Sequence, residues 1–106
     1  MRYEQTLKVK ARLYNELERA CRVPLNDCAR DEILFDEEVV FDNGNRMAVQ
    51  VIASGNDVES AWTQGVVFDP VGNELGCTDV GESFGGEYYV VDDDDNGYIC
   101  NVVVEG

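Results

Sequence analysis

Three stretches of the chain share one form, and that form leaves little choice but a β-hairpin each time: VVFDNGN at residues 39–45, VVFDPVGN at 66–73 and YVVDDDDNG at 89–97. Each is a β-branched run that ends in aspartate and then turns. The runs start at Val39, Val66 and Val90, spaced 27 and 24 residues apart, and each turn is followed by another short apolar run, at 46–53, 74–79 and 98–104. Asn-Gly, the strongest short hairpin signal, occurs at Asn43-Gly44 and Asn96-Gly97, while Pro70 and Gly72 punctuate the middle turn. The expectation is three successive hairpins forming an antiparallel meander of about six strands, with loops at 54–60 and 81–86. Three hairpins are too few and too irregular for a propeller or solenoid.

The first third of the chain follows different rules. Residues 3–13 alternate, with Leu7, Val9, Ala11 and Leu13 on one side and Lys8, Lys10 and Arg12 on the other, which predicts a half-buried strand with a cationic outer face. At 15–22 (NELERACR) the alternation stops. Asn15 is placed to cap a helix with Glu16 and Glu18 in its first turn and Arg19 and Arg22 in its last, putting Leu13, Leu17 and Cys21 on one face. Pro24 ends that helix, and Asn26 or Asp27 would cap a second short one running to about Phe35. The predicted class is α+β: an N-terminal strand and one or two short helices packed on the meander. Its 106 residues suit one domain, with a basic strand-and-helix part at 1–35 and acidic antiparallel hairpins at 36–106.

Charge follows the same division. Residues 1–30 carry seven basic side chains against four acids, for +3, while residues 31–106 carry Arg46 alone against 18 acids, for −17. The net −14 repels phosphate backbones and anionic lipid, so neither direct nucleic-acid binding nor membrane binding is expected. No apolar run approaches the ~18 residues of a membrane span, and the first residues lack the apolar stretch of a secretory signal, so the expected location is cytoplasmic. Without that signal the four cysteines, Cys21, Cys28, Cys77 and Cys100, are expected as buried free thiols. They form no Cys-x-x-Cys pair, and the chain has no histidine to complete a mixed zinc site.

Motif-like stretches do not add up to catalysis. Residues 92–103 imitate the start of a calcium loop, with Asp92, Asp94, Asn96 and Gly97 at positions 1, 3, 5 and 6, yet position 12 is Val103 where a bidentate glutamate is needed, and the flanks read as strands. A hairpin with an acidic tip is the better account, with weak divalent-ion binding as an alternative. Gly81-Glu82-Ser83-Phe84-Gly85 fits a nucleophile elbow in letters only, since it has neither the histidine base nor the parallel sheet that poises the serine. Carboxylate pairs are abundant by number alone. The chain is expected not to be an enzyme and to need no cofactor.

What remains is electrostatic. Same-face side chains recur every ~6.6 Å along a strand and neighbouring strands lie ~4.8 Å apart, so acids on adjacent hairpins can build a two-dimensional negative array. The candidates are Asp31, Glu32, Asp36, Glu37, Glu38 and Asp42 before and within the first hairpin, and Asp92, Asp93, Asp94 and Asp95 at the last tip. Alternation sends Tyr88 and Tyr89 to opposite faces, and an exposed Tyr89 would serve as an interface anchor. The expected partner is a protein whose basic groove normally holds nucleic acid. In size, acidity and lack of catalytic machinery the chain resembles, as a class, the small inhibitors that phages and mobile elements deploy against restriction or CRISPR systems, which implies a DNA mimic acting in a bacterial host. The other function considered is a non-enzymatic adaptor whose acidic surface serves solubility.

Overall fold

A computed structural model describes residues 1–21, 32–53, 61–80, 84 and 86–105. They form seven strands and one helix: β1 (Arg2–Lys10), α1 (Ala11–Ala20), β2 (Glu32–Val40), β3 (Arg46–Ala53), β4 (Trp62–Phe68), β5 (Glu74–Val80), β6 (Gly86–Val91) and β7 (Gly97–Glu105). The three expected hairpins are β2–β3, β4–β5 and β6–β7, all antiparallel.

A single six-stranded meander does not form. The strands divide into a four-stranded sheet, β2-β3-β4-β5, and a three-stranded sheet, β1-β7-β6. The break falls between β5 and β6, which meet by packing: a β-carbon built on Gly76 would stand 2.9 Å from Val90 Cγ1 and 3.1 Å from the Val91 carbonyl oxygen. The free edge of β7 is taken instead by β1, parallel and in register from Arg2 opposite Gly97 to Lys10 opposite Glu105. The basic N-terminal strand is thus part of the same sheet as the most acidic hairpin.

The N-terminal strand stops three residues earlier than the alternation suggests. Lys10 is opposite Glu105, the last residue of β7, and there the chain turns directly into α1 at Ala11, a strong helix former. The helix therefore starts without a side-chain cap, and Asn15 lies inside it. Its core-facing stripe is the half-buried Tyr14 with the buried Leu17 and Ala20, continued by Cys21 at the C-cap, and Leu13 is left 37% exposed, off that stripe. The second predicted helix is overturned where it is described: Ile33, Leu34 and Phe35 belong to β2, because pairing with β3 outweighs a local helix signal. A register shift between Ile33 and Phe35 turns Phe35 inward. The caps at Asn26 and Asp27 lie outside the described residues.

The two sheets enclose one apolar cluster that includes Val9, Leu17, Phe35, Phe41, Met47, Val49, Val51, Val67, Phe84, Tyr88, Val90 and Tyr98. Gly65 makes room for the contact between sheets, since a β-carbon there would meet Met47 Sδ at 3.2 Å and Tyr88 Cβ at 3.4 Å. Phe84 is ringed by Phe35 and Tyr14, with ring centroids 5.3 and 5.6 Å away. The Ala61 amide donates to the Ala20 carbonyl at 2.9 Å, tying the helix C-terminus to the start of β4. Among the large residues of the hairpin region, Phe41 and Tyr88 are buried, whereas Trp62 and Phe68 are only half-buried because they point to the outer side of the four-stranded sheet.

Candidate partner-binding face

The three hairpin turns are one device used three times. In each, the first residue donates its amide to the carbonyl of the fifth, and the fourth donates back to the first: Phe41 with Asn45 and Gly44, Asp69 with Asn73 and Gly72, Asp92 with Asn96 and Asp95, all at 2.8–3.1 Å. The fourth residue takes a left-handed backbone, with φ of 90° at Gly44, 103° at Gly72 and 67° at Asp95. This is the three-residue hairpin loop, a tight turn followed by a left-handed residue. In the third turn, therefore, the left-handed position is Asp95, and the Asn96-Gly97 signal is displaced: Gly97 is already the first residue of β7.

Side chains complete the turns. Asp69 Oδ1 accepts from the Val71, Gly72 and Asn73 amides at 2.8–3.0 Å, and its Oδ2 from Asn73 Nδ2 at 3.0 Å. Those donors, Asn73 foremost, hold its carboxyl below the usual range. Asp92 is held likewise by the Asp94 and Asn96 amides at 2.9 and 3.0 Å and by Asn96 Nδ2 at 3.2 Å, and it also accepts from the Tyr98 hydroxyl at 2.9 Å. Partial desolvation pulls the Asp92 carboxyl up, but the donated hydrogen bonds outweigh it and its pKa is lowered.

The Tyr98 hydroxyl is where two turns meet. It donates to Asp92 Oδ2 and accepts from Asn43 Nδ2 at 3.1 Å and Asn45 Nδ2 at 2.7 Å. Burial, joined by the neighbouring Asp92 charge, pushes the phenol up, and the two amides offset only part of this. The Tyr98 ring stacks on Tyr3 at 5.5 Å and meets Phe41 edge-on at 5.1 Å. The middle turn joins the same end, because a β-carbon at Gly44 would lie 3.5 Å from Pro70 Cγ. Asp42, Asp69, Asp92, Asp93, Asp94 and Asp95 are thereby gathered at one end of the molecule, the first and third turns joined by contacts between residues more than 50 apart in sequence.

The other candidate acids are not brought there. Glu32 starts β2, eight residues before its last residue, about 26 Å along the strand from the turn. Asp36 and Glu38 are opposite Gln50 and Ala48 and share the outer face of the four-stranded sheet, whereas Glu37, opposite the buried Val49, points to the core side and is exposed at the sheet edge. An inward charge on an edge strand is a known guard against edge-to-edge pairing. Glu38 Oε1 is 3.2 Å from Arg46 Nη1. Asp31 lies outside the described residues. Tyr89 is 43% exposed while Tyr88 is fully buried. Asp69, Asn43, Asn45 and Tyr98 join the site only in the structure, although the asparagine in fifth place of each turn is a legible signal for Asn45 and for the Asp69 that Asn73 caps.

Among the described residues no three of His, Cys, Asp and Glu are grouped so as to hold a metal ion. Asp92, position 1 of the calcium-like frame, already accepts from four protein donors. Burial, reinforced at Cys21 by the Glu18 charge, pushes the thiols of Cys21 and Cys100 up to about 11. Cys77, expected to be buried, is exposed because it lies on the outer side of β5, a sheet edge. Cys28 lies outside the described residues. No helix among the described residues is long and apolar enough to cross a membrane. A comparison with protein-family models finds no match, and no curated protein or solved structure matches the chain either.

Proposed function

We propose that this protein is an acidic binding inhibitor that occupies a basic, nucleic-acid-binding groove on a partner protein, with the convergent turn tips as its contact surface. The observation that carries the reading is the convergence itself. Six carboxylates sit on three turns at one end of the molecule, the first and third pinned to each other through Tyr98 and the middle one beside the first, and none of these turns contains a basic residue. Turn geometry is set by backbone hydrogen bonds and by Asp69 and Asp92, so the exposed Asp42, Asp93, Asp94 and Asp95 are presented on a preorganised base, and little ordering entropy opposes binding. Such a surface would replace phosphate charges in a Lys/Arg cleft, with fast association that weakens as salt rises. Anti-CRISPR or anti-restriction action is the finer form of the same proposal.

The test is a pull-down from bacterial host lysate at ~0.1 M and ~0.5 M salt, followed by competition of the captured protein against a fluorescent DNA duplex. At the higher salt screening acts within about 4 Å, and capture should be lost. Converting Asp42, Asp93, Asp94 and Asp95 to asparagine keeps the turn-holding Asp69 and Asp92, and asparagine is at home in the left-handed position of residue 95. This variant should melt as the parent does and fail to compete. Undiminished competition would overturn the reading.

A further inference from the structure

The outer face of the β1-β7-β6 sheet differs from the rest of this molecule. The register sets out its side chains as rows across the three strands: Arg2, Gly97, Val91; Glu4, Ile99, Tyr89; Thr6, Asn101, Glu87; then Lys8 with Val103 and Lys10 with Glu105. Three cations and three carboxylates cancel on this face, within a chain of net charge −14. Tyr89, Val91 and Val103 are 43%, 45% and 40% exposed there. The Tyr89 ring lies across Gly97, where a β-carbon would come within 2.9 Å of its hydroxyl, and the Arg2 guanidinium sits 6.0 Å from the ring centroid.

We propose that this face is a self-association surface and that its occupant is a second copy of the chain. Charge selects that partner. A strongly basic protein gains nothing from a surface whose own charges cancel and is drawn to the acidic turns, whereas two copies of this chain can approach here without setting acid against acid. Lys10 and Glu105 already pair within the chain at 3.5 Å, which leaves Arg2 and Lys8 complementary to the carboxylates Glu4 and Glu87 of another copy. The nine-residue β1 and β7 are ~30 Å long and the six-residue β6 ~20 Å, each ~4.8 Å wide, so the patch offers roughly 380 Å² per copy, under the ~800 Å² of a standard interface. The dimer is accordingly weak and concentration-dependent. Its salt response is opposite to that of groove binding, because screening relieves the long-range repulsion between two bodies of like charge.

Sedimentation velocity from 5 to 500 µM protein at 0.1 and 0.5 M NaCl tests this. Wild type should dimerise, more tightly at the higher salt. Val103→Glu and Thr6→Glu, both at exposed positions, should weaken dimerisation at least tenfold, while Val40→Glu on the outer face of the other sheet should leave it unchanged. A wild-type chain that stays monomeric at 500 µM in 0.5 M NaCl overturns the proposal, as does an equal loss in Val40→Glu.

Discussion

Replacing Tyr98 by phenylalanine removes a single oxygen and asks whether the acidic turns are held together as described. The ring, fully buried between Tyr3 and Phe41, is kept. The hydroxyl's bond to Asp92 and its two bonds from Asn43 and Asn45 are lost. A neutral hydrogen bond contributes ~0.5–1.5 kcal/mol net and one to a charged group ~1.5–3. The partner groups are only part-buried and can rehydrate, so the expected loss is about 2 kcal/mol rather than the sum. At ~2.1 cal/mol/K per residue the unfolding entropy of the chain is roughly 220 cal/mol/K, and that loss lowers Tm by ~9 °C. Calorimetry of Tyr98→Phe, Asn45→Ala and the double variant measures both the loss and its coupling. A drop under ~3 °C, or additive effects of the two substitutions, would refute the claim that this hydroxyl joins the first and third turns.

Gly76→Ala should cost ~1–3 kcal/mol in urea unfolding, because the new methyl meets the Val91 carbonyl, and backbone cannot step aside as a side-chain end can. Asp95→Gly should raise Tm by a few degrees by relieving a left-handed aspartate, whereas Gly72→Ala, which introduces a side chain at φ 103°, should lower it. Asp69 and Asp92 have folded pKa values below their unfolded value of ~3.9, so the stability they contribute is present above that pH and is lost as pH falls through the folded values. Melting curves between pH 5 and 2 should therefore lose less stability on acidification in Asp69→Asn and Asp92→Asn than in the parent.

The hairpins were readable from the sequence because turn chemistry is local: an Asp, Asn or Gly acts on amides two to four residues away, so five residues specify the turn. That Tyr88 and Tyr89 point to opposite faces followed from strand alternation for the same reason, while which of them is buried is set by the sheet packing. The helix begins at Ala11, where β1 leaves its pairing with β7, a strand distant in sequence, so the local cap signal at Asn15 does not set its start. The split between β5 and β6, the parallel pairing of β1 with β7 and the strand at residues 33–35 likewise depend on which edges and faces meet. Proximity in sequence grouped Glu32, Asp36, Glu37 and Glu38 with Asp42, yet alternation and distance along β2 separate them. Sequence alone determined that this protein has three acidic hairpin turns; only the tertiary structure decided that all three lie at one end and that Asp92 turns inward as a fastener. The first and third turns are joined by one buried hydroxyl that accepts amides from one and donates to the carboxylate of the other, and the middle turn is set beside the first by the antiparallel pairing of β3 with β4, contacts that no local pattern encodes.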